Sequence, residues 1–134
     1  MDPFMSIEPL REEVASFLES YNTAFASVDG SQIAALYYSP CVTLRGDGSI
    51  HCLTSQELRD FFQTVAETYY REGYRSGRFA IRDLVPIGGR SALVTVDWEL
   101  LRDDHRVIRG WRQSYNLVRA QAGWRILVST FHVT

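Results

Sequence analysis

The sequence predicts an α+β fold in which a curved, mixed but mostly antiparallel sheet wraps like a cone around three N-terminal helices. Two patterns predict it: apolar residues recur at helical spacing in the first half of the chain and alternate at strand spacing in the second half. With 134 residues, the chain can bury one hydrophobic core but not two. We therefore expect one domain over residues 5–134, and residues 1–4, which precede a second methionine, as a vector-derived leader.

The three helices are predicted from apolar periodicity and from their end signals. Apolar residues at spacings of three, four and seven predict the first helix over residues 7–28. A second, short helix is predicted over residues 32–38, after a break at Asp29-Gly30 and before Pro40. Thr54 and Glu57 form a capping-box pattern that opens the third helix.

The strands are predicted from alternation and from turn residues between the runs. Two short runs, 41–45 and 49–53, flank the hairpin signal at residues 46–48. The remaining strands are predicted at residues 78–86, 91–101, 106–119 and 124–133. Since helices covering one face of a strongly curved sheet leave a hollow at its open end, an apolar cavity is expected there.

Composition excludes several classes of protein. Fourteen basic and sixteen acidic residues give a net charge of −2 with no basic cluster, so no nucleic-acid partner is expected. No apolar run approaches the ~20 residues that cross a bilayer, so no membrane span is expected. The chain has two cysteines without metal-site spacing and no secretory signal pattern, which favours a cytoplasmic location, no metal and no cofactor.

Four segments resemble the nuclear-transport-factor-2-like (NTF2-like) superfamily, in particular its SnoaL-like and ketosteroid-isomerase-like branch. They are YNTAFASVDG at 21–30, IAALY at 33–37 leading into CVTL at 41–44, the Phe61-Phe62 pair and GWRIL at 123–127. The resemblance covers almost all of residues 7–133 and implies a cystatin-like α+β roll, a pocket at the open end and a dimer. It does not imply one reaction, because this superfamily includes isomerases, dehydratases, cyclases and proteins that are not enzymes.

The residues of the pocket follow from the resemblance combined with strand parity. The resemblance implies a pocket between the first helix, the third helix and the concave sheet face, and parity places Val94, Val96, Trp98 and Leu100 inward. On the last strand, Leu127, Ser129 and Phe131 are expected to share a face, unless a bulge reverses it. The predicted ligand-pocket residues are Tyr21, Phe25, Tyr37, Thr43, Phe62, Trp98, Trp111, Gln113, Tyr115 and Phe131. The alternative is that these aromatic residues form an ordinary core.

The candidate catalytic residues are Tyr21, His51 and Arg45. Tyr21 resembles the oxyanion tyrosine of ketosteroid isomerases, but the position of their carboxylate base holds Arg45, which cannot accept a proton. The sequence therefore argues against that activity. Tyr21 with His51 would echo a dehydratase site, and Arg45 at the end of a strand could bind a ligand carboxylate or polarise a carbonyl.

Three functions remain open from the sequence. The first is a protein that binds a small apolar or aromatic molecule in an aromatic pocket. The second is an isomerase, dehydratase or cyclase that uses Tyr21 with His51 or Arg45. The third is an interaction module whose cavity its own side chains fill. In each case a homodimer is expected through the outer sheet face that carries Thr95, Asp97, Glu99 and Arg112.

Overall fold

The structure is a computed structural model that describes residues 7–134. The expected leader, residues 1–4, lies outside the described residues. The helices are α1 (Glu8–Ala26), α2 (Gly30–Ala34) and α3 (Ser55–Arg71). The strands are β1 (Tyr37–Leu44), β2 (Ile50–Leu53), β3 (Ser76–Ile87), β4 (Ser91–Leu101), β5 (Val107–Ala120) and β6 (Gly123–Phe131). No helix among residues 7–134 is long and apolar enough to cross a membrane.

The predicted α+β architecture is confirmed. The six strands form one curved, unclosed sheet in the order β2-β1-β6-β5-β4-β3. Strand β1 runs parallel to β6, and every other neighbouring pair is antiparallel. The core lies between the helices and one face of this sheet, so the residues that alternate inward on β4 and β5 also face the helices.

The start of α3 matches its sequence pattern. Thr54 and Glu57 form the reciprocal capping box, with Glu57 Oε1 accepting from the Thr54 backbone N–H at 3.1 Å. The prediction for α2 was wrong at both ends. This helix spans Gly30–Ala34, and Tyr37 begins β1 instead of extending the helix. Tyr37 lies opposite Ile126 of β6, so strand pairing outweighs the helical spacing of Ile33, Leu36 and Tyr37.

The inward face of β6 changes partway along the strand. Trp124 and Ile126 are buried before a register shift, and Ser129 is buried after it. The shift leaves Leu127 without a cross-strand partner on β5, as a bulge does. The expectation that Leu127 shares an inward face with Ser129 and Phe131 was therefore wrong for Leu127, whereas Ser129 and Phe131 both reach the concave side.

The contact between α2 and α3 depends on a glycine. Gly30 N–H donates to Gln63 Oε1 at 2.7 Å, and Gln63 Nε2 donates to the Val28 carbonyl at 3.1 Å. A Cβ at position 30 would overlap the Arg59 carbonyl oxygen and lie 2.7 Å from the Gln63 backbone nitrogen. Only glycine allows this approach, which places α2 and the following strand β1 against α3.

The outer face of the sheet is polar in the middle of β4 and β5, where the alternation predicts Asp97, Glu99 and Arg112. Arg112 lies opposite Asp97, and its Nε donates to Asp97 Oδ1 at 2.9 Å. Glu99 pairs with Arg78 of β3 at 2.7 Å. These ion pairs are exposed, so each contributes little to stability.

Candidate functional site

A cavity of about 340 Å³ lies between α1, α3 and the concave face of the sheet. Its floor is buried: Tyr115 is 1% exposed and Ser129 is 2% exposed. Gly46 and Arg109 also line it and are exposed, so the cavity reaches the surface at the open end of the sheet. It is the hollow that a curved sheet leaves when its helices do not fill it.

Every side chain that the sequence analysis placed on the pocket lies on the lining of this cavity. They are Tyr21, Phe25, Tyr37, Thr43, Phe62, Trp98, Trp111, Gln113, Tyr115 and Phe131. Tyr37 reaches the lining from β1 and not from α2. That these residues bind a ligand stays a prediction.

The three catalytic candidates are separated. Tyr21 and Arg45 line the cavity, but His51 does not. His51 lies on β2 opposite Thr43, and its Nε2 is 2.9 Å from Ser49 Oγ. The structure therefore does not bring Tyr21 and His51 together around the cavity.

Tyr21 is the centre of the aromatic packing at the floor. Its ring lies within 6.0 Å, centroid to centroid, of the rings of four lining residues: Phe25 (5.5 Å), Trp98 (5.8 Å), Tyr115 (5.9 Å) and Tyr37 (6.0 Å). All of these pairs are tilted, a favourable arrangement for aromatic rings. Residue 21 faces the sheet because it lies on the same helical stripe as Val14, Leu18 and Phe25.

Most polar groups of the floor bind one another. Trp98 Nε1 donates to Tyr115 Oη at 2.8 Å, and the Tyr21 and Tyr37 hydroxyl oxygens are 2.8 Å apart. Trp111 Nε1 donates to Gln113 Oε1 at 2.8 Å. Gln113 Nε2 in turn donates to Ser129 Oγ at 2.5 Å. These bonds satisfy buried groups that would otherwise be costly.

The tyrosine hydroxyls of the floor stay protonated. Burial raises the pKa of Tyr21, Tyr37 and Tyr115 well above the ordinary value. Burial also raises the pKa of Tyr74, which lines the cavity, to about 12. The floor therefore presents neutral hydroxyls and not phenolate bases.

The charged side chains of the lining are basic. Arg45 and Arg109 line the cavity, and no Asp or Glu of residues 7–134 does. Arg109 Nη2 binds both carboxylate oxygens of Glu72, at 2.8 and 2.9 Å. The Arg45 guanidinium lies 3.9 Å from the centre of the Phe61 ring, and its Nε is buried without a hydrogen-bond partner among the described residues.

Several lining residues were not predicted from the sequence. Asn22 and Phe61 each adjoin a predicted pocket residue, and Val65 and Tyr69 lie one and two helical turns after Phe62. Arg109 shares its inward parity with Trp111 and Tyr115 on β5, whereas Tyr74 has no periodic signal because it lies in the loop between α3 and β3.

A metal centre is not built here. Among residues 7–134, no group of three or more His, Cys, Asp or Glu side chains could hold a metal ion. The hydroxyls, amides and rings of the lining suit an organic molecule better than a cation.

A curved sheet around three helices with an aromatic cavity at its open end defines an NTF2-like α+β roll. The family model of NTF2-like protein (DUF6841) matches residues 11–134, so the chain belongs to this family. The predicted superfamily is thereby confirmed. A comparison with curated proteins gave no match.

Solved structures show the same fold at low sequence identity. A domain of unknown function with a cystatin-like fold from Nostoc punctiforme has a TM-score of 0.75 at 16% identity, over 92% of this chain and 76% of that one. Aln2 from Streptomyces has a TM-score of 0.74 at 14% identity, over 95% and 91%. A ketosteroid isomerase-like protein from Erwinia carotovora has a TM-score of 0.66 at 16% identity, over 92% and 96%. At these identities the likeness establishes the fold alone.

Proposed function

We propose that this NTF2-like protein binds a small, flat, mostly apolar molecule in the aromatic cavity, without ketosteroid-isomerase catalysis. The observation that carries the proposal is a cavity of about 340 Å³ lined mainly by aromatic side chains. That volume lies within the ~300–1,000 Å³ of ordinary ligand pockets. It favours binding over a module whose own side chains fill the hollow.

The chemistry of the lining supports binding over isomerisation. Proton transfer by a ketosteroid isomerase needs a carboxylate base, and no Asp or Glu within residues 7–134 lines this cavity. Arg45 cannot replace it, because a guanidinium stays protonated. The Tyr21 hydroxyl already bonds that of Tyr37. The alternative, an enzyme using Tyr21 with Arg45 or His51, has less support, because His51 lies off the lining.

Thermal unfolding with 2-naphthol, a neutral and flat probe, tests the proposal. A ligand that binds only the folded state raises Tm in a saturable way. Val65→Trp fills the cavity from α3 and should abolish this rise, whereas Ile87→Trp, at a half-exposed position outside the lining, should preserve it. A rise of equal size in Val65→Trp, or no rise in the wild type, would contradict the proposal.

A homodimer through the outer sheet face is the second part of the proposal. A mostly apolar row of side chains crosses this face, and we call this row the outer stripe. In order across the sheet it consists of Val42, Val128, Asn116, Leu93 and Val85. Three of its members are 38–43% exposed, at Val42, Leu93 and Val85. Acidic and basic side chains, such as Asp97 and Arg112, lie on the same face, which suits pairing with a second copy.

Light scattering after size-exclusion chromatography tests the dimer. The wild type should have twice the mass of one chain, and Leu93→Arg should have the mass of one chain because it places a charge in the outer stripe. Val107→Arg, at a similarly exposed position outside the stripe, is the control. A monomeric wild type, or a dimer that tolerates Leu93→Arg, would refute this part.

A further inference from the structure

We infer that the bound molecule carries a carboxylate and that Arg45 and Thr43 hold it. This inference rests on the proposed function, because it places a polar end on the apolar ligand proposed above. It follows from which polar atoms of the cavity lack a partner among residues 7–134, from the placement of two of them at the end of β1 and from the balance of charge around them.

The polar atoms of the lining fall into two groups. The polar atoms of the first group lie at the floor and form hydrogen bonds with one another. These bonds join Tyr21 to Tyr37, Trp98 to Tyr115, and Gln113 to both Trp111 and Ser129. Three buried atoms of the lining have no hydrogen-bond partner among residues 7–134: Thr43 Oγ1, Arg45 Nε and Tyr74 Oη. Thr43 is only 5% exposed. Since buried polar groups are normally paired, these atoms mark where a polar part of a ligand would sit.

Two of the three atoms lie at the end of β1, on Thr43 within the strand and on Arg45 directly after it. Residues 43 and 45 are separated by one residue, so they lie on the same side of the chain, about 6.5 Å apart along the strand direction. Arg45 follows the last residue of β1, with its backbone N–H bonded to the Ser49 carbonyl at 2.9 Å. Its guanidinium stacks on the Phe61 ring at 3.9 Å. Stacking occupies a face of the guanidinium and leaves the N–H groups at its edge to donate.

Among residues 7–134 the charge of Arg45 has no ion-pair partner, in contrast to that of the other cation on the lining. Arg109 is bound by both oxygens of Glu72. Asp47 is the acid whose pKa Arg45 helps to lower, but Ser49 is the larger cause of that shift. Asp47 Oδ1 accepts from Ser49 N at 2.9 Å and Ser49 Oγ at 2.6 Å, and no ion pair joins Asp47 to Arg45. A ligand anion would compensate this charge.

A carboxylate fits these donors better than a neutral carbonyl does. A guanidinium donates two parallel N–H bonds to the two oxygens of a carboxylate, and the Thr43 hydroxyl adds a third donor. The aromatic walls then cover the apolar body. The inferred ligand class is therefore an aromatic or alicyclic carboxylic acid.

Isothermal titration with 2-naphthoate and 2-naphthamide tests the inference, because the two probes share a ring system and differ in charge. The wild type should bind the acid at least about tenfold more tightly than the amide, as expected of a charge-assisted bidentate pair. Arg45→Gln should remove this preference without changing amide binding, and Thr43→Val should weaken acid binding severalfold.

Arg119→Gln is the matched control, since that guanidinium also stacks on a ring, at 4.2 Å over Trp124, and does not line the cavity. It should keep the preference for the acid. Arg45→Lys keeps the positive charge and should retain part of the preference for 2-naphthoate over 2-naphthamide. A variant at position 45 that still prefers the acid shows that the loss in Arg45→Gln comes from the missing charge and not from misfolding. Each variant is first checked by thermal unfolding.

The outcomes separate this inference from the proposed function. Equal binding of acid and amide, with 2-naphthol still bound, overturns the inference and leaves the proposed function standing. A preference for the acid that survives Arg45→Gln overturns the role of Arg45. Binding of none of the three probes overturns both proposals.

Discussion

Replacing tyrosine by phenylalanine should lower the free energy of unfolding at Tyr115 but not at Tyr74, although both side chains are buried. Tyr115 and Tyr74 are each 1% exposed, so Tyr→Phe removes the same atom from equally buried surroundings. The Tyr115 hydroxyl accepts from Trp98 Nε1 at 2.8 Å, whereas the Tyr74 hydroxyl has no hydrogen-bond partner among the described residues. The matched pair therefore isolates the hydrogen bond from the loss of volume.

Tyr115→Phe leaves the Trp98 indole N–H without an acceptor in a site where Trp98 is 4% exposed. An unsatisfied buried donor costs about 1–3 kcal/mol, so the free energy of unfolding should fall by about that amount. Tyr74→Phe removes a buried hydroxyl that makes no hydrogen bond among the described residues, so it should not lower the free energy of unfolding. Equilibrium unfolding in urea measures both, provided that the slope m is unchanged. Equal losses in the two variants would refute this reasoning.

Two further perturbations act on the fold. Gly30→Ala should lower the free energy of unfolding by about 1–3 kcal/mol, because the added Cβ would meet the backbone of α3. Gly89→Ala is the control and should cost no stability, because no atom lies within 4 Å of the added Cβ. Comparable losses in the two variants would contradict this prediction. The Arg112 hydrogen bond lowers the pKa of Asp97. The contribution of Asp97 to stability is therefore fully present above the pKa of an unfolded aspartate, about 3.9. It is lost as pH falls through the lower pKa that Asp97 has in the folded protein. Urea unfolding from pH 7 to acid should show a shallower fall in Asp97→Asn than in the wild type, and identical slopes would rule out this pair as a cause.

Some elements could be predicted closely because local chemistry decides them. The alternation in β4 predicts a strand over residues 91–101, and the structure has Ser91–Leu101. The capping box at Thr54 marks where α3 begins. In both cases the signal lies within a few neighbouring residues, and no distant contact competes with it.

Other elements depend on partners that are distant in the sequence. Tyr37 has helical spacing with Ile33, yet it pairs with Ile126 and starts β1. Leu127 has inward parity, yet the bulge between β5 and β6 moves the inward face to Ile126 and Ser129. Parity counts residues, and a bulge adds one that no local pattern reveals.

The sequence by itself determined the α+β class, because burial on one face of a helix or strand imposes a period that can be read along the chain. Together with the family resemblance it predicted most, but not all, of the aromatic residues that line the cavity, since Phe61, Tyr69 and Tyr74 were not among them. Only the tertiary structure decided which polar atoms of the cavity are already paired. It joined Tyr21 to Tyr37, bound Arg109 to Glu72, kept His51 off the lining and left Thr43 Oγ1 and Arg45 Nε without a hydrogen-bond partner among residues 7–134. Hydrogen bonds form within about 3 Å between residues far apart in the chain, so no sequence period records them.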